Sequence, residues 1–449
     1  MEIKKKKKHN FTNTQIIAFS FFAVISTGGL LLSLPISSRS NHWTPFVDAL
    51  FTATSATCVT GLVTYDTFDH WSPFGQIVIL SLIQIGGLGF MTLMTLLYIF
   101  MKRKISLHER RILMQSAGNV RISGIVKMIQ HIALGTLVFE FTGAVLLSIR
   151  FIPQMGVKMG IYNAVFHSIS AFCNAGFDLM GRYEQYSSLT RYSNDPLVIL
   201  TIGGLIVFGG IGFLIWTDVT KHRFHFKNYT LHSKIVLCTT LILIVAGAIL
   251  FYIFEYNYTM KDYSFGHRFL ASLFQSITPR TAGFNSININ ELSESSKLLT
   301  MMLMLIGGSP GSTAGGIKTT TFVVVILSIV ATSRNMKSIQ IFKRRLGDDI
   351  VRESSAIVTI YILFSILATL IICAFNPVSL SDAVFEVISA VGTVGLSSGV
   401  TGVINPFSKC VLILGMFGGR VGLLSFTMLL TEKENHSLLN RPKEKILIG

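Results

Sequence analysis

The sequence predicts an all-α integral membrane protein with four tandem helix–pore-loop–helix repeats: eight transmembrane helices and four short re-entrant helices around one pseudo-fourfold axis. Three observations support this fold class. Charged residues make up only 13% of the 449 residues, whereas a soluble domain carries roughly 25%. One short motif recurs four times, each time between two long apolar stretches. The basic residues cluster between those stretches and at both ends of the chain.

The recurring motif is a Phe that is followed, one short segment later, by a Gly and an apolar residue. Its four copies run from Phe51 to Gly61, from Phe166 to Gly176, from Phe274 to Gly283 and from Phe385 to Gly395. The third copy is one residue shorter than the others, and it alone contains a proline, Pro279. Self-similarity at a regular period is the signature of an internal repeat.

Each motif lies between two apolar stretches that are long enough to cross a bilayer, which takes about 20 residues. The predicted repeats are 14–101, 124–217, 232–330 and 352–430. Eight crossings place the basic N-terminus (1–13) and the tail (431–449) on one side, together with the basic clusters between repeats. Cytoplasmic loops carry an excess of Lys and Arg, so we predict that both termini are cytoplasmic.

The net charge of +16 raises nucleic-acid binding as a function. Most Lys and Arg residues, however, lie in short clusters that separate the apolar stretches. The positive-inside rule accounts for this placement, so we predict membrane lipid, and no nucleic acid, around the chain. The five cysteines form no C-x-x-C pair, which argues against a structural metal site.

The segment before each motif glycine is too short to span a bilayer and suits a re-entrant helix with an extended return. Such backbone is tolerated at membrane depth only if it is buried in protein or lines a water-filled cavity. Backbone carbonyls and hydroxyls can replace the water around a cation, and the negative helix ends favour positive charge. The predicted ion-binding filter comprises Cys58, Val59, Thr60, Gly61, Cys173, Asn174, Ala175, Gly176, Thr281, Ala282, Gly283, Thr393, Val394 and Gly395.

These motifs resemble the Trk/Ktr/HKT superfamily of potassium transporters, most closely its Ktr-type membrane subunit. The resemblance rests on Ala53–Leu62, Gln84–Phe90, Ser170–Phe177, Thr278–Asn285 and Gly392–Leu396. It implies a potassium-selective pore with one filter glycine per repeat, in a plasma membrane of bacterial type. It also implies a homodimer and a separate cytosolic regulatory ring that binds a nucleotide. This chain itself then carries no cofactor besides potassium, with sodium as a candidate activator.

Residues 307–316 contain five Gly and one Pro. A continuous helix would lose about 1 kcal/mol for each Gly and about 3 kcal/mol for the Pro, so we predict a helix broken within the membrane. A close helix crossing is the alternative. The resemblance identifies the segment as an intramembrane gate, formed by Gly307, Gly308, Ser309, Pro310, Gly311, Ser312, Thr313, Ala314, Gly315 and Gly316. We expect this break in the third repeat alone.

Three further features concern charge at membrane depth. Lys318 directly follows the broken segment. Arg420 lies midway along the last apolar stretch, and inserting an arginine into a membrane at that depth costs about 2.5–3.5 kcal/mol of free energy. The resemblance implies that Arg420 faces the pore, and we predict that it forms an electrostatic barrier that cooperates with the loop. Lys318 belongs to the same predicted gate, where it binds the loop or snorkels. Glu140 and Glu386 also lie at apparent membrane depth. We expect a structural role for both, such as a salt bridge with Arg280, and direct contact with the ion is the alternative.

Two other functions remain open. Broken helices are also typical of coupled symporters, so sodium- or proton-coupled cation transport is one alternative. Gly307–Gly311 matches G-x-S-x-G, with His131 and His167 elsewhere in the chain, which raises an intramembrane serine hydrolase. That motif requires a strand before its turn, and here apolar helix flanks it, so we predict that the protein is not an enzyme.

Basic segments offer a docking surface for the regulatory subunit. Lys343–Arg345 and 441–445 are the strongest candidates. The alternative is that these charges only orient the chain in the membrane.

Overall fold

The computed structural model describes residues 13–89, 92, 125–223, 225–336 and 338–423. The basic N-terminus before residue 13, the basic cluster at 102–121 and the tail lie outside these residues. The predictions for those segments, including the docking role of 441–445, therefore remain predictions.

A long helix, a short buried helix and a second apolar helix recur in this order four times. The first group is α1 (Asn13–Ser33), α2 (Phe46–Cys58), the short α3 (Thr67–His70) and α4 (Pro73–Leu88). The second is α5 (Ile125–Met155), α6 (Val157–Phe172), α7 (Pro196–Ile211) and α8 (Phe213–His222). The third is α9 (Leu231–Glu255), α10 (Phe265–Ile277), α11 (Glu294–Leu305) and α12 (Thr319–Ser333). An antiparallel hairpin of β1 (Gln340–Ile341) and β2 (Arg344–Arg345) precedes α13 (Asp348–Phe375), α14 (Leu380–Gly392) and α15 (Pro406–Val421).

The second apolar helix of each group begins with a polar N-cap. The caps are Ser72, Asp195, Ser293 and Asn405, and each side chain accepts a backbone amide of the first turn. In α4, α7 and α15 a proline follows the cap directly, where its missing N–H costs nothing and its fixed φ suits a helix. These caps set where the chain turns back toward the axis.

The four long helices α1, α5, α9 and α13 are long and apolar enough to cross a membrane, and α7 with α8 makes a fifth span if the bent pair is counted as one. The long helices expose large apolar side chains, including Phe22, Leu137, Leu241 and Leu370. The protein is therefore a multi-pass membrane protein. Full crossings by the other second helices stay a prediction.

The expectation that only the third repeat has a broken second helix is wrong. Helix α7 ends at Ile211, and α8 leaves at an angle of 93°, with Gly212 at the bend (φ 101°). Gly89 (φ 83°) and Gly422 (φ 97°) follow α4 and α15 in the same way. Three of the four second helices, α4, α7 and α15, thus end at a glycine whose backbone favours no side chain, whereas α11 ends at Leu305 before Ile306.

Glycines also let these helices approach the short helices closely. A Cβ built on Gly86, Gly209 or Gly419 would overlap a backbone carbonyl near the end of the short helix in the same repeat. Close helix crossings, considered above for the third repeat alone, are therefore present in the other three.

Packing between repeats forms a closed cycle. Each second helix packs against the short helix of the next repeat: α4 on α6, α7 on α10, α11 on α14, and α15 on α2. The motif Phe of every repeat is buried in the core that results. The short helices therefore surround one axis, with their C-terminal ends close together.

A buried ion pair joins the first and last repeats. Lys409 Nζ on α15 lies 2.7 Å from Asp48 Oδ1 on α2, and each side chain is only 11% exposed. The Tyr65 hydroxyl donates to the other oxygen of Asp48 at 3.1 Å. Removing one partner of such a pair costs about 3–5 kcal/mol, so this contact holds the cycle closed.

Candidate functional site

The four motif glycines meet in one closed ring. A Cβ atom built on any of them would lie about 3 Å from the Cα atom of the next glycine in the ring. The distances are 3.1 Å from Gly61 to Gly176, from Gly176 to Gly283 and from Gly283 to Gly395, and 2.8 Å from Gly395 to Gly61. Their φ angles of 97°, 70°, 79° and 95° are also left-handed. Both the space and the backbone therefore require glycine at these positions.

The residue two places before each ring glycine is also left-handed. Val59, Asn174, Thr281 and Thr393 have φ angles of 58°, 59°, 70° and 52°. Such angles are rare for β-branched residues, and each strained residue costs about 1–3 kcal/mol. Strain of this kind persists only where the surrounding structure enforces it, and it concentrates at functional sites.

A hydroxyl side chain from each short helix braces the strained segment. The Oγ atoms of Ser55 and Ser389 each accept the N–H of their ring glycine at 3.0 Å. Ser170 Oγ and Thr278 Oγ1 instead donate to the carbonyl of the Phe after the ring glycine, at 2.7 and 2.6 Å. The third repeat is one residue shorter, yet Thr278 fills the same structural place. In all four copies a Ser or Thr lies four residues after the motif Phe, and sequence reasoning missed this signal.

Oxygen atoms surround the ring. The carbonyl oxygen before each ring glycine, in Thr60, Ala175, Ala282 and Val394, lies against the neighbouring ring glycine. The hydroxyls of Thr60 and Thr393 are buried and have no hydrogen-bond partner among the described residues. Cys58 and Cys173 are also buried, and Cys173 Sγ donates to Gln84 Oε1 at 3.6 Å. Such a set of neutral oxygens can replace the hydration shell of a cation.

A cavity of about 840 Å³ opens onto all four ring glycines. Its charged lining residues are all acidic: Asp66, Asp178, Glu184 and Glu291. Among the described residues, no Lys or Arg lines it. A cleft of one charge sign raises the local concentration of counter-ions. Sequence reasoning missed this vestibule because its acids come from separate connections between helices.

Asp178 lies in the connection between α6 and α7, two residues after Gly176. Burial, reinforced by the nearby charge of Asp66, raises the pKa of the Asp178 carboxyl to about 7, although the Met180 amide opposes the shift. Its charge therefore changes across the neutral range.

We predict that the affinity of the vestibule for cations rises with pH. Between pH 6 and pH 8 Asp178 gains a negative charge beside the ring, which should lower the apparent KM for the cation by about two- to fivefold. Asp178→Asn should remove this dependence, as measured by initial uptake rates at several outer pH values. A flat wild-type profile, or an unchanged slope in Asp178→Asn, would contradict this role.

Residues 306–318 form a loop between α11 and α12. The Gly307 N–H donates to the Ile317 carbonyl at 2.8 Å and draws the two ends together. Lys318 Nζ donates to the Ala314 carbonyl at 2.7 Å, so this lysine stabilises the loop itself.

On one side the loop is bound to the end of α7. The Ser309 N–H donates to the Gly210 carbonyl at 3.0 Å, and the Thr313 N–H donates to the Gly209 carbonyl at 3.3 Å. Thr313 Oγ1 also donates to the Phe172 carbonyl at 3.3 Å. The loop of the third repeat is thus attached to the second.

On the other side the loop reaches the fourth repeat. The Gly316 N–H donates to the Gly419 carbonyl at 3.3 Å. A Cβ built on Gly315 would overlap the hydroxyl oxygen of Thr393, which is one of the strained residues next to the ring. The loop therefore lies directly beside the ring.

Arg420 connects the loop to the first repeat. Its guanidinium donates to the carbonyls of Thr313 and Gly86, and to that of Gly87 at 3.3 Å. In the described part of the chain no carboxylate pairs with it. Backbone dipoles hold this charge without neutralising it.

The expected ion pairs of Glu140 and Glu386 with Arg280 are wrong. Glu140 accepts the Gln84 amide at 3.1 Å, Glu386 accepts the Ser397 hydroxyl at 3.0 Å, and Arg280 donates to Thr240 at 3.4 Å. Both carboxylates use neutral donors instead of a counter-charge. The Gln84 amide reaches both oxygens of Glu140, whereas Oε2 of Glu386 has no hydrogen-bond partner among the described residues. The sequence did not show which side chains contact the two glutamates, because these contacts join separate segments of the chain.

The G-x-S-x-G match has no catalytic surroundings. Ser309 Oγ donates to the carbonyls of Gly210 and Ile211 at the end of α7, so its hydroxyl is used in attaching the loop. His167 instead contacts the backbone of Asn163 and Leu179.

We predict that Gly283→Ala abolishes cation flux through the ring. The added methyl group would meet the backbone of the fourth repeat, and overpacking at a rigid site should lower flux at least about tenfold. Gly266→Ala on α10 is the matched control, because a Cβ there meets nothing within 4 Å. Flux is measured at equal amounts of protein in the membrane. Normal flux in Gly283→Ala would show that ions do not pass the ring.

Comparison with known proteins is consistent with this architecture. Residues 2–438 match the family described as TrkH, cation transport protein. The chain is 39% identical to the potassium/sodium uptake protein NtpJ of Enterococcus hirae, over 100% of this chain and 99% of that protein. It is also 39% identical to the Ktr system potassium uptake protein B of Bacillus subtilis, over 98% and 97% of the two chains.

A solved structure shows the same fold. The potassium transporter TrkH from Vibrio parahaemolyticus superposes with a TM-score of 0.76, at 18% identity, over 96% of this chain and 87% of that one. The family resemblance inferred from the motifs is confirmed, and it is a family of transporters rather than enzymes. The chain belongs to the TrkH family of cation transport proteins.

Proposed function

We propose that this protein is the membrane subunit of a Ktr-like potassium uptake system and conducts potassium through the glycine ring. The observation that carries this function is the closed ring of Gly61, Gly176, Gly283 and Gly395, with a carbonyl oxygen beside each glycine. The relatives from Enterococcus hirae and Bacillus subtilis are named for potassium uptake.

Selectivity arises in the ring. The carbonyls of Thr60, Ala175, Ala282 and Val394 replace part of the water around a potassium ion, and the Thr60 and Thr393 hydroxyls supplement them. Four helix C-termini add partial negative charge. The acidic vestibule raises the cation concentration at the entrance.

Gating arises below the ring. The loop at 306–318 obstructs the path, and its opening requires release of the hydrogen bonds that Thr313 makes to α6 and α7 and to Arg420. The unneutralised charge of Arg420 repels a cation from the same place, and low-dielectric surroundings strengthen this repulsion. Lys318 supports the closed shape of the loop.

The assembly consists of a homodimer in a plasma membrane and a cytosolic ring that binds a nucleotide. Relatives are named as components of a Ktr system, which supports a separate regulatory subunit. The exposed hairpin turn at Lys343 and the adjacent Arg344 and Arg345 is a basic surface on which that subunit docks. Both termini lie on the same, cytoplasmic side.

Sodium is the second candidate ion. The Enterococcus hirae relative is named for both potassium and sodium, and a coupled symporter would use the same ring. The loop gate and a coupled mechanism differ in whether potassium uptake requires sodium.

Uptake into a bacterium that lacks its own potassium transporters tests the function. With a Ktr-type regulatory subunit supplied, the chain should restore growth at low potassium and should take up rubidium as a tracer. Omitting sodium separates activation or coupling from simple conduction. Failure to take up potassium with the subunit present would overturn the proposal.

We predict that Arg420→Ala raises basal potassium flux by about tenfold, because it removes both the charge and the contact to Thr313. Arg420→Lys keeps the charge and should retain most of the barrier. Flux is measured in vesicles with matched protein content. Equal flux in wild type and Arg420→Ala would exclude Arg420 from the gate.

A further inference from the structure

One buried polar position recurs behind the ring with a different residue in each repeat. Its members directly follow the motif Phe and lie three residues before the bracing hydroxyl: Thr52, His167, Gln275 and Glu386. All four are at most 1% exposed. A buried polar group is costly unless it is hydrogen-bonded, so the partners of these residues reveal what each one does.

Glu386 holds the chain that leaves the ring in the fourth repeat. Its Oε1 atom accepts the Ser397 hydroxyl at 3.0 Å and also the Thr401 hydroxyl. Ser397 lies two residues after Gly395, and both hydroxyl residues line the vestibule. The carboxylate thus connects a short helix at the back of the ring to the wall in front of it.

His167 occupies the same position in the second repeat. Its Nδ1 is 2.8 Å from the Asn163 carbonyl, which requires a proton on Nδ1 and leaves Nε2 as an acceptor. Nε2 then accepts the Leu179 N–H at 3.4 Å. Leu179 lies three residues after Gly176, so this side chain also holds the segment that leaves the ring.

The other two repeats lack this connection. Thr52 Oγ1 donates to the Asp48 carbonyl of its own helix. Both side-chain polar atoms of Gln275 have no hydrogen-bond partner among the described residues. Because the ring closes in chain order, the second and fourth repeats lie opposite each other. Among the described residues, only on this diagonal does the side chain after the motif Phe bond to the segment that leaves the ring, in addition to the hydroxyl brace that all four repeats share.

We propose that Glu386 and His167 are positioning residues that fix the ring along one diagonal and so set its discrimination between potassium and sodium. This inference rests on the proposed filter function. Discrimination between ions that differ mainly in radius depends on the placement of the coordinating carbonyls. The strained residues before the glycines keep that placement only while their surroundings enforce it.

The test compares Glu386→Leu with Glu386→Gln. The leucine removes the acceptor of both hydroxyls and should lower the ratio of potassium to sodium uptake by about tenfold. The glutamine keeps one acceptor oxygen and should retain a ratio between those of Glu386→Leu and wild type. Both ratios are measured by competitive uptake at equal protein content in the membrane, so that differences in the amount of each variant do not affect them.

Gln275→Leu is the matched control. It makes a similar change at the same position of the neighbouring repeat, where no hydrogen bond is lost, and should leave the ratio within about twofold of wild type. The double variant Ser397→Ala, Thr401→Val removes the donors and should reproduce the loss. Adding Glu386→Leu to it should cause little further change, as expected for groups that act through one interaction.

If Glu386→Leu does not reach the membrane, the donor variant carries the test alone. A wild-type ratio in Glu386→Leu or in the donor variant, or an equal loss in Gln275→Leu, would overturn the inference. These outcomes are distinct from failure of the proposed function. If ions do not pass the ring, Gly283→Ala conducts normally; if only this inference is wrong, Gly283→Ala blocks flux while the Glu386 variants keep their selectivity.

Discussion

The structure depends on the mutual contact of four glycines, where no Cβ atom fits. Each ring glycine meets the backbone of the next repeat at a distance that only hydrogen atoms can fill. Because the contact is cyclic, the position of every segment depends on the other three. The helix cycle, the buried Asp48–Lys409 pair and the bracing hydroxyls all serve to hold four strained chain segments around one axis.

The half of the molecule that holds the ring and the vestibule is close to fourfold, and the half that holds the loop at 306–318 is not. The ring, the left-handed residues and the bracing hydroxyls recur in all four repeats. Below the ring, one loop from the third repeat bonds to the second and fourth, and Arg420 attaches it to the first. A single loop is therefore attached to all the other repeats, directly to the second and fourth and through Arg420 to the first.

The sequence predicted the members of the ring because Phe–Gly spacing recurs and glycine has few other reasons to recur so regularly. It also predicted the broken segment at 307–316, since Gly and Pro oppose helix strongly. It did not show the left-handed Val59, Thr281 and Thr393, because only tertiary contacts enforce such angles on β-branched residues. Nor did it show the bend at Gly212, since Gly209, Gly210 and Gly212 lie in an apolar run with no internal proline, which is compatible with a helix at a close crossing. Side-chain partners such as those of Glu386 depend on packing between distant segments.

Direct location of the ion tests the central claim most sharply. Anomalous scattering from rubidium or thallium, in crystals of the full chain grown without potassium, would place the cation relative to the backbone. The account predicts a strong peak on the ring axis, within coordination distance of the carbonyls of Thr60, Ala175, Ala282 and Val394. A peak confined to the vestibule, or no peak at the ring under conditions that support rubidium uptake, would contradict it.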